Sequence, residues 1–495
     1  MNRLLACSMI AAPLLLTGCI SLAPDVEVPA VTAEIPDTYT FASDSGEYTP
    51  AAWWTAYDDP VLNALVDTAL VRNFDIAEAA ARVEQARAQA RIARSAIFPT
   101  LNATGNATSS STPLVGSAFG GFGGGGIDRI ENDTVSLSLG AAYELDLFGR
   151  VRNDLYAARA DALATEFDFR TIRLATAAEV IAAYFDIVDT RRQLTLAEET
   201  ADVLQDRADR TNERFERGLV QSFELYQVQQ ELRATQASVP QLQAALAVNE
   251  GRVAILLGTY RGNIAEQLDG DLRPQLVFEE VPTGIAAELL DQRPDVAAAW
   301  LRLEASRLRI GARRAERFPS LSLSASLGTQ GDGIGSALNI VDNWAASLAA
   351  NIVAPIIDGG RISANIRAAR ATYDANAAAY ARSVVTAFTE VENALADYEQ
   401  QRQRYILITA QLREAEASFD LQRRRYAAGV GSYITYLDAL RNVRQVEASL
   451  SGAARATALA RLGVHRALGG DWAPLAAQPI LEMQPADVTA AGDAS

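Results

Sequence analysis

The sequence predicts an α+β membrane protein of two tandem repeats, each carrying two transmembrane β-strands and long coiled-coil-like helices. Three observations carry that prediction. Residues 149–258 match 360–469 without a gap at a constant offset of 211, which sets Arg150 on Arg361, Glu179 on Glu390 and Gly218 on Gly429. Four segments of about ten residues alternate apolar with polar side chains, the period of a two-faced strand. Apolar residues also recur every seventh position along helical stretches too long to hide inside one globule.

Composition narrows the class. The chain has 495 residues and 49% hydrophobic content, which argues for a folded rather than a disordered protein. Acidic residues outnumber basic ones 61 to 44, so a partner that must be tracked through its phosphates, such as nucleic acid, is disfavoured. Residues 1–18 read as a secretion signal: Arg3, an apolar run, then "LTGC" ending at Cys19. Those four residues resemble a bacterial lipobox, so cleavage before Cys19 would leave a thiol for lipid attachment on an N-terminal segment 19–60; the competing reading is an ordinary signal with an incidental Cys. Cys7 would leave with the signal, so the mature chain keeps no thiol for disulfides, metal or nucleophilic catalysis. Elsewhere no apolar run approaches the roughly 20 residues of a transmembrane helix, which leaves β-strands to cross a membrane.

The elements follow in order through a first repeat at 61–270 and a second at 271–472, with a tail at 473–495. Leu62, Ala69, Ile76, Val83 and Ala90 keep one heptad position, as do Leu289, Val296, Leu303 and Ile310. Both helices stop at "FP", Phe98 and Phe318, because the residue before proline avoids helical angles. Strands are expected at about 99–110, 133–147, 319–329 and 344–355. Tilted strands of that length cross a bilayer, although a half-buried soluble sheet shows the same alternation. Their Gly-rich linkers lack the spacing of a phosphate-binding loop and read as flexible connections.

Next come the longest helices. Val384, Val391, Tyr398, Tyr405, Leu412, Phe419 and Tyr426 hold one heptad position, and 360–428 contains no proline. At ~1.5 Å per residue such a helix is roughly 100 Å long. It ends at a glycine break, Gly429 and Gly431, matched by Gly218 in the first repeat. The returning helices end in "LLG" and "ALGG", and Pro240 is expected to kink the first of them.

Four strands cannot close a barrel, and an open edge in lipid leaves backbone groups unsatisfied at several kcal/mol each. The chains must therefore associate. Two copies would supply about eight strands and three about twelve, and only the larger ring leaves room for a lumen.

Long stretches of the chain, including "AAWWTAYDDPVLNALVDTALVRNFDIAEAA", "ELLDQRPDVAAAWLRLEASRLRIGARRAERFPSLSLSASLG" and both glycine turns, resemble the TolC family of outer-membrane efflux factors in its lipoprotein branch. The resemblance implies a homotrimer in the outer membrane of a Gram-negative bacterium, with a twelve-stranded barrel continued by a helical barrel in the periplasm. It implies docking to a periplasmic adaptor and an inner-membrane transporter, and no cofactor beyond the lipid on Cys19. The turns Gly218, Leu219, Val220 and Gly429, Val430, Gly431 would form the adaptor-docking tip, though αα-hairpin turns use glycine anyway. The family narrows its aperture with two acids three apart; here Asp438 matches the second and Thr435 stands at the first. Glu224 and Tyr426 occupy the positions of a closed-state latch, or Tyr426 is simply the last heptad core residue.

An acidic lumen would favour cations. No catalytic constellation is visible, and the single histidine, His465, sits among apolar neighbours, so an enzyme is not expected. The expected function is the exit duct of a tripartite efflux system. The alternatives are the outer component of a type I protein secretion system and a lipid-anchored coiled-coil scaffold.

Overall fold

The computed structural model describes residues 22–24, 39, 53–113, 129–268, 270, 272, 274–278, 281, 293–339 and 341–469. The expected signal 1–18, Cys19, Leu289 and the tail 473–495 lie outside them. The chain divides into two compact units, one of residues 1–29, 85–163 and 301–378, the other of 30–84, 164–300 and 379–495.

The first unit holds a four-stranded antiparallel sheet in the order β1 (Thr100–Pro113), β2 (Arg129–Leu145), β3 (Ser320–Gly331), β4 (Trp344–Val353). Its register decides the faces, because residues paired across an antiparallel ladder point to the same side. Leu139 of β2 pairs with Ala103 and Leu327, and Leu327 pairs with Ala346. Followed rung by rung, Leu101, Leu137, Leu321, Leu323, Leu348 and Ile352 all fall on one face. Asn102, Thr104, Ser138, Ser324, Ser326 and Ser347 fall on the other. The polar face is cross-linked through the hydroxyls of Thr104 and Ser138 and of Ser326 and Ser347, each pair 2.8 Å apart. The apolar face is bare: Leu101 is 71% and Leu348 83% exposed. Trp344 and Tyr143 lie toward opposite ends of this apolar band, where aromatic side chains suit a lipid interface.

The first hairpin runs further than alternation indicated. Ser109 to Pro113 pair with Asp133 to Arg129, and the Arg129 guanidinium bonds the Ser111 hydroxyl at 2.7 Å. The backbone ladder continues through polar residues that carry no apolar signal.

Each second strand of a repeat turns into a helix of 67 residues, α3 (Arg150–Glu216) after β2 and α6 (Arg361–Ala427) after β4. At ~1.5 Å per residue each is about 100 Å long, as the proline-free stretch predicted. Both start just after a glycine with positive φ, Gly149 at 74° and Gly360 at 87°.

The heptad helix expected from Leu62 to Ala90 is two helices, α1 (Pro60–Arg72) and α2 (Phe74–Ser95), both beginning in the second unit. Asn73 divides them. Its side-chain oxygen accepts from the Asp75 and Ile76 amides at 2.8 and 3.1 Å, capping α2, while its amide nitrogen donates to the Leu256 carbonyl at 2.9 Å. The second repeat places Arg293 at the equivalent position, ahead of α5 (Pro294–Ala315), and it donates to the Ala467 carbonyl at 3.0 Å. Leu256 and Ala467 are themselves repeat partners, so two different side chains make the same tie between the start of a helix and the last carbonyls of the returning one. Arg293 is also paired with Asp295 and Glu390, each at 2.7 Å, which compensates the burial of its charge.

The returning helices are α4 (Ser222–Leu256) and α7 (Tyr433–Ala467), 35 residues each. Helix α4 runs unbroken through the exposed Pro240. The main core lies where α1 meets α3, α4 and α7: Leu62, Leu65, Ile181, Tyr184, Ile187, Leu257 and Leu462 are buried together. Asp59 caps α1 through the amides of Val61 and Leu62 and also receives the Tyr184 hydroxyl.

Candidate functional site

The two glycine turns lie at the joins of α3 to α4 and of α6 to α7. Gly218 has φ 70° and Gly429 φ 74°, the left-handed conformation that ends a helix without steric cost only for glycine. Each turn closes by the same bonds: the Leu219 amide to the Arg214 carbonyl at 2.8 Å, and the Val430 amide to the Arg425 carbonyl at 3.0 Å. Gly431 serves a different purpose. A Cβ there would meet the Tyr426 amide nitrogen at 2.9 Å, so its missing side chain lets the second turn fold back on its own helix; Val220 occupies the matching place in the first repeat. Around the turns Leu219, Phe223, Tyr226, Val430 and Ile434 are exposed, from 42% to 69%.

Behind the second turn stands a group of three tyrosines around one arginine. Tyr426 stacks on Tyr436 at 5.5 Å between centroids, and Tyr433 lies 5.7 Å from Tyr426. The Arg207 guanidinium, from α3 of the first repeat, sits 4.9 Å from the Tyr436 ring, 5.3 Å from Tyr426 and 5.8 Å from Tyr433. Burial works against its charge, but a bond to the Tyr436 hydroxyl and the surrounding phenols hold its pKa above the ordinary value. Burial likewise pushes the Tyr433 hydroxyl up. A cation clasped by three aromatic faces joins the two hairpins.

The residues singled out in the sequence fall around this group, with one difference. The Tyr426 hydroxyl accepts from Arg214 at 3.1 Å, and among the described residues no bond joins it to Glu224 within the protomer. Tyr426 does reach across to the first repeat, but it meets the last turn of α3, whereas the half-buried Glu224 lies in the first turn of α4. Thr435 is exposed and turns its hydroxyl back to the Ser432 carbonyl at 2.8 Å. Asp438 is exposed and pairs with Arg441 at 3.3 Å, while Arg441 also bonds Glu231 of α4 at 2.6 Å. At the repeat offset Glu224 aligns with Thr435, so the acid missing from the second turn is present at the first.

Sequence reading missed Arg207, Arg214 and Arg441. The spacing of Tyr426, Tyr433 and Tyr436 carries a signal of an aromatic cluster, but nothing local marks which cation enters it.

A sheet with one exposed apolar face and one polar face, on a chain with two helices of about 100 Å, defines a subunit of a β-barrel channel of the outer membrane. The profile of the outer membrane efflux protein family matches residues 65–259 and 285–470, and the chain belongs to that family. It is similar to the probable efflux pump outer membrane protein TtgC of Pseudomonas putida, 32% identical over 478 residues that cover 94% of this chain and 95% of the relative. It is also similar to the cation efflux system protein CusC of Escherichia coli O6:H1, 31% identical over 475 residues, 93% of this chain and 97% of the relative. Among solved structures, the outer-membrane channel OprN superposes with a TM-score of 0.82 at 28% identity, covering 90% of this chain and 98% of that one. The protein is a passive outer-membrane exit duct of a tripartite efflux system, not an enzyme.

Proposed function

We propose that three copies assemble so that β4 of one protomer pairs with β1 of the next, closing a twelve-stranded barrel in the outer membrane. The observation that carries this is the register, which gathers the leucines of all four strands on one side and leaves β1 and β4 at the edges of the sheet. Lipid requires both an apolar outer face and closed edges. The helices of three protomers then form the periplasmic conduit.

The exposed apolar side chains at Gly218, Leu219, Val220 and Gly429, Val430, Gly431 offer a docking surface for a periplasmic adaptor, which links the duct to an inner-membrane transporter. Asp438 narrows the aperture; its pairing with Arg441 and the neutral Thr435 make the ring weakly acidic. Cys19 carries lipid. The polar face that would line the barrel carries mainly Ser, Thr, Asn, Ala and Gly, and its acid Glu144 is paired with Arg150, so the lining selects little and the cargo is small toxic organic compounds chosen by the pump. TtgC, whose name records an efflux pump, matches slightly better than CusC, whose name records cation efflux.

A deletion strain tests the cargo. Raised susceptibility to solvents and antibiotics, with unchanged tolerance of metal cations, is expected. Unchanged drug susceptibility together with a lost exported protein would instead indicate secretion.

A further inference from the structure

Gly311 is buried in the interior of α5, where glycine is the poorest choice after proline, so it calls for a reason. The reason lies within the strand-bearing unit. A Cβ at Gly311 would meet the Ala23 backbone at 2.6 Å from its nitrogen and 2.8 Å from its Cα, with the Asn153 amide of α3 at 2.8 Å. Two arginines flank the contact. Arg307 donates to the Pro24 carbonyl at 3.0 Å and Arg314 to the Leu22 carbonyl at 3.4 Å. Backbone carbonyls are thus held by charged donors one turn to either side of the glycine, and residues 22–24 are half-buried along the helix.

The order of these contacts gives a direction. Pro24 lies against Arg307 and Leu22 against Arg314, so the segment runs antiparallel to α5, and its N-terminal end faces the end of α5 that leads into β3. Cys19 stands three residues before Leu22, a leash of at most about 11 Å. The repeat supplies an internal control. At the offset of 220, Arg307 and Arg314 correspond to Arg87 and Arg94 of α2, but Gly311 corresponds to Arg91, which is exposed. Both helices have the arginines, and only α5 has the opening for a backbone.

We propose that the Arg307, Gly311 and Arg314 face of α5 is a seat for the start of the mature chain, holding the lipid of Cys19 at the base of β3. The protomer's strands are thereby presented at the membrane surface before the barrel closes. This rests on the lipoprotein reading above.

The test follows conversion of newly made full-length chain into SDS-resistant trimer, with palmitate labelling in parallel. Gly311→Ala improves helix propensity while blocking the seat, and it is expected to slow conversion several-fold with labelling intact. Gly251→Ala, a helix glycine with open space around it, should not slow it. Arg307→Gln with Arg314→Gln removes the two carbonyl contacts without a clash and should slow conversion in the same way. In a Cys19→Ala chain exported behind a non-lipoprotein signal, adding Gly311→Ala should slow nothing further. Conversion of Gly311→Ala at the wild-type rate, or a defect that persists undiminished without the lipid, overturns the seat alone. A wild-type chain that takes up no palmitate overturns the lipoprotein reading and the seat with it.

Discussion

Leu348 and Ala349 are neighbours at the middle of β4, and the register turns them to opposite faces: Leu348 lies beside Ala325 on the apolar side, Ala349 beside Ser324 on the polar side. Replacing each by arginine therefore separates face from depth, since the two positions differ by only about 3.4 Å along the strand. On the lipid face near the bilayer midplane an arginine costs about 2–4 kcal/mol. Three protomers multiply this to about 6–12 kcal/mol per trimer, and since each 1.4 kcal/mol is about a tenfold change, assembly should fall by roughly four powers of ten or more. Ala349→Arg puts its charge into water, where repulsion between protomers is screened over about 8 Å at physiological salt. The assay is urea titration of trimer assembly in lipid vesicles, backed by the fraction of trimer in outer membranes. Leu348→Arg should fail to assemble while Ala349→Arg assembles nearly as the parent does. Equal damage from both, or tolerance of both, would refute the assignment of faces and with it the barrel.

Other consequences follow from particular contacts. Opening that parts the two hairpins must break the three cation–π contacts of Arg207, each worth about 0.5–2 kcal/mol. Arg207→Met should accordingly raise open probability in planar bilayers about tenfold or more, with Arg207→Lys restoring only part because an ammonium lacks the planar stacking surface. Gly429→Ala, at φ 74°, should lower the unfolding midpoint of the purified trimer by the equivalent of about 1–2 kcal/mol, whereas Gly452→Ala, in open space within α7, should leave it level or raised. Burial, aided by the neighbouring Arg461, pushes His465 down to about 3. Below an ordinary histidine pKa of about 6.5 the unfolded chain gains a proton that the folded chain refuses until about 3, so stability should fall as pH drops across that window, by at most about 1.4 kcal/mol per unit. Unfolding midpoints measured from pH 7 to 4 check this, and His465→Leu should flatten the slope.

Local period is what a sequence states most directly, and here it carried far. Alternation placed all four strands, heptads and the absence of proline placed two helices of 67 residues, and the offset of 211 revealed the repeat and matched Gly218 to Gly429. The strand count was enough to demand association of several chains. Each of these depends on residues within a few positions of one another, or on the chain's likeness to itself.

Tertiary structure alone decided which elements meet. β2 pairs with β3 across the repeat boundary, Leu139 opposite Leu327, and that register, rather than any one strand's alternation, makes the apolar face continuous. Asn73 breaks an unbroken heptad because Leu256, far along the chain, offers a carbonyl to its amide. Arg207 enters a cluster of tyrosines more than two hundred positions later, and Arg214, not Glu224, takes the Tyr426 hydroxyl. Gly311 reads as a blemish in a helix until residues 22–24 lie across it. The physical reason is common to all four: a side chain's periodicity is set by its own backbone, whereas its partner is set by which surfaces come together once distant segments pack.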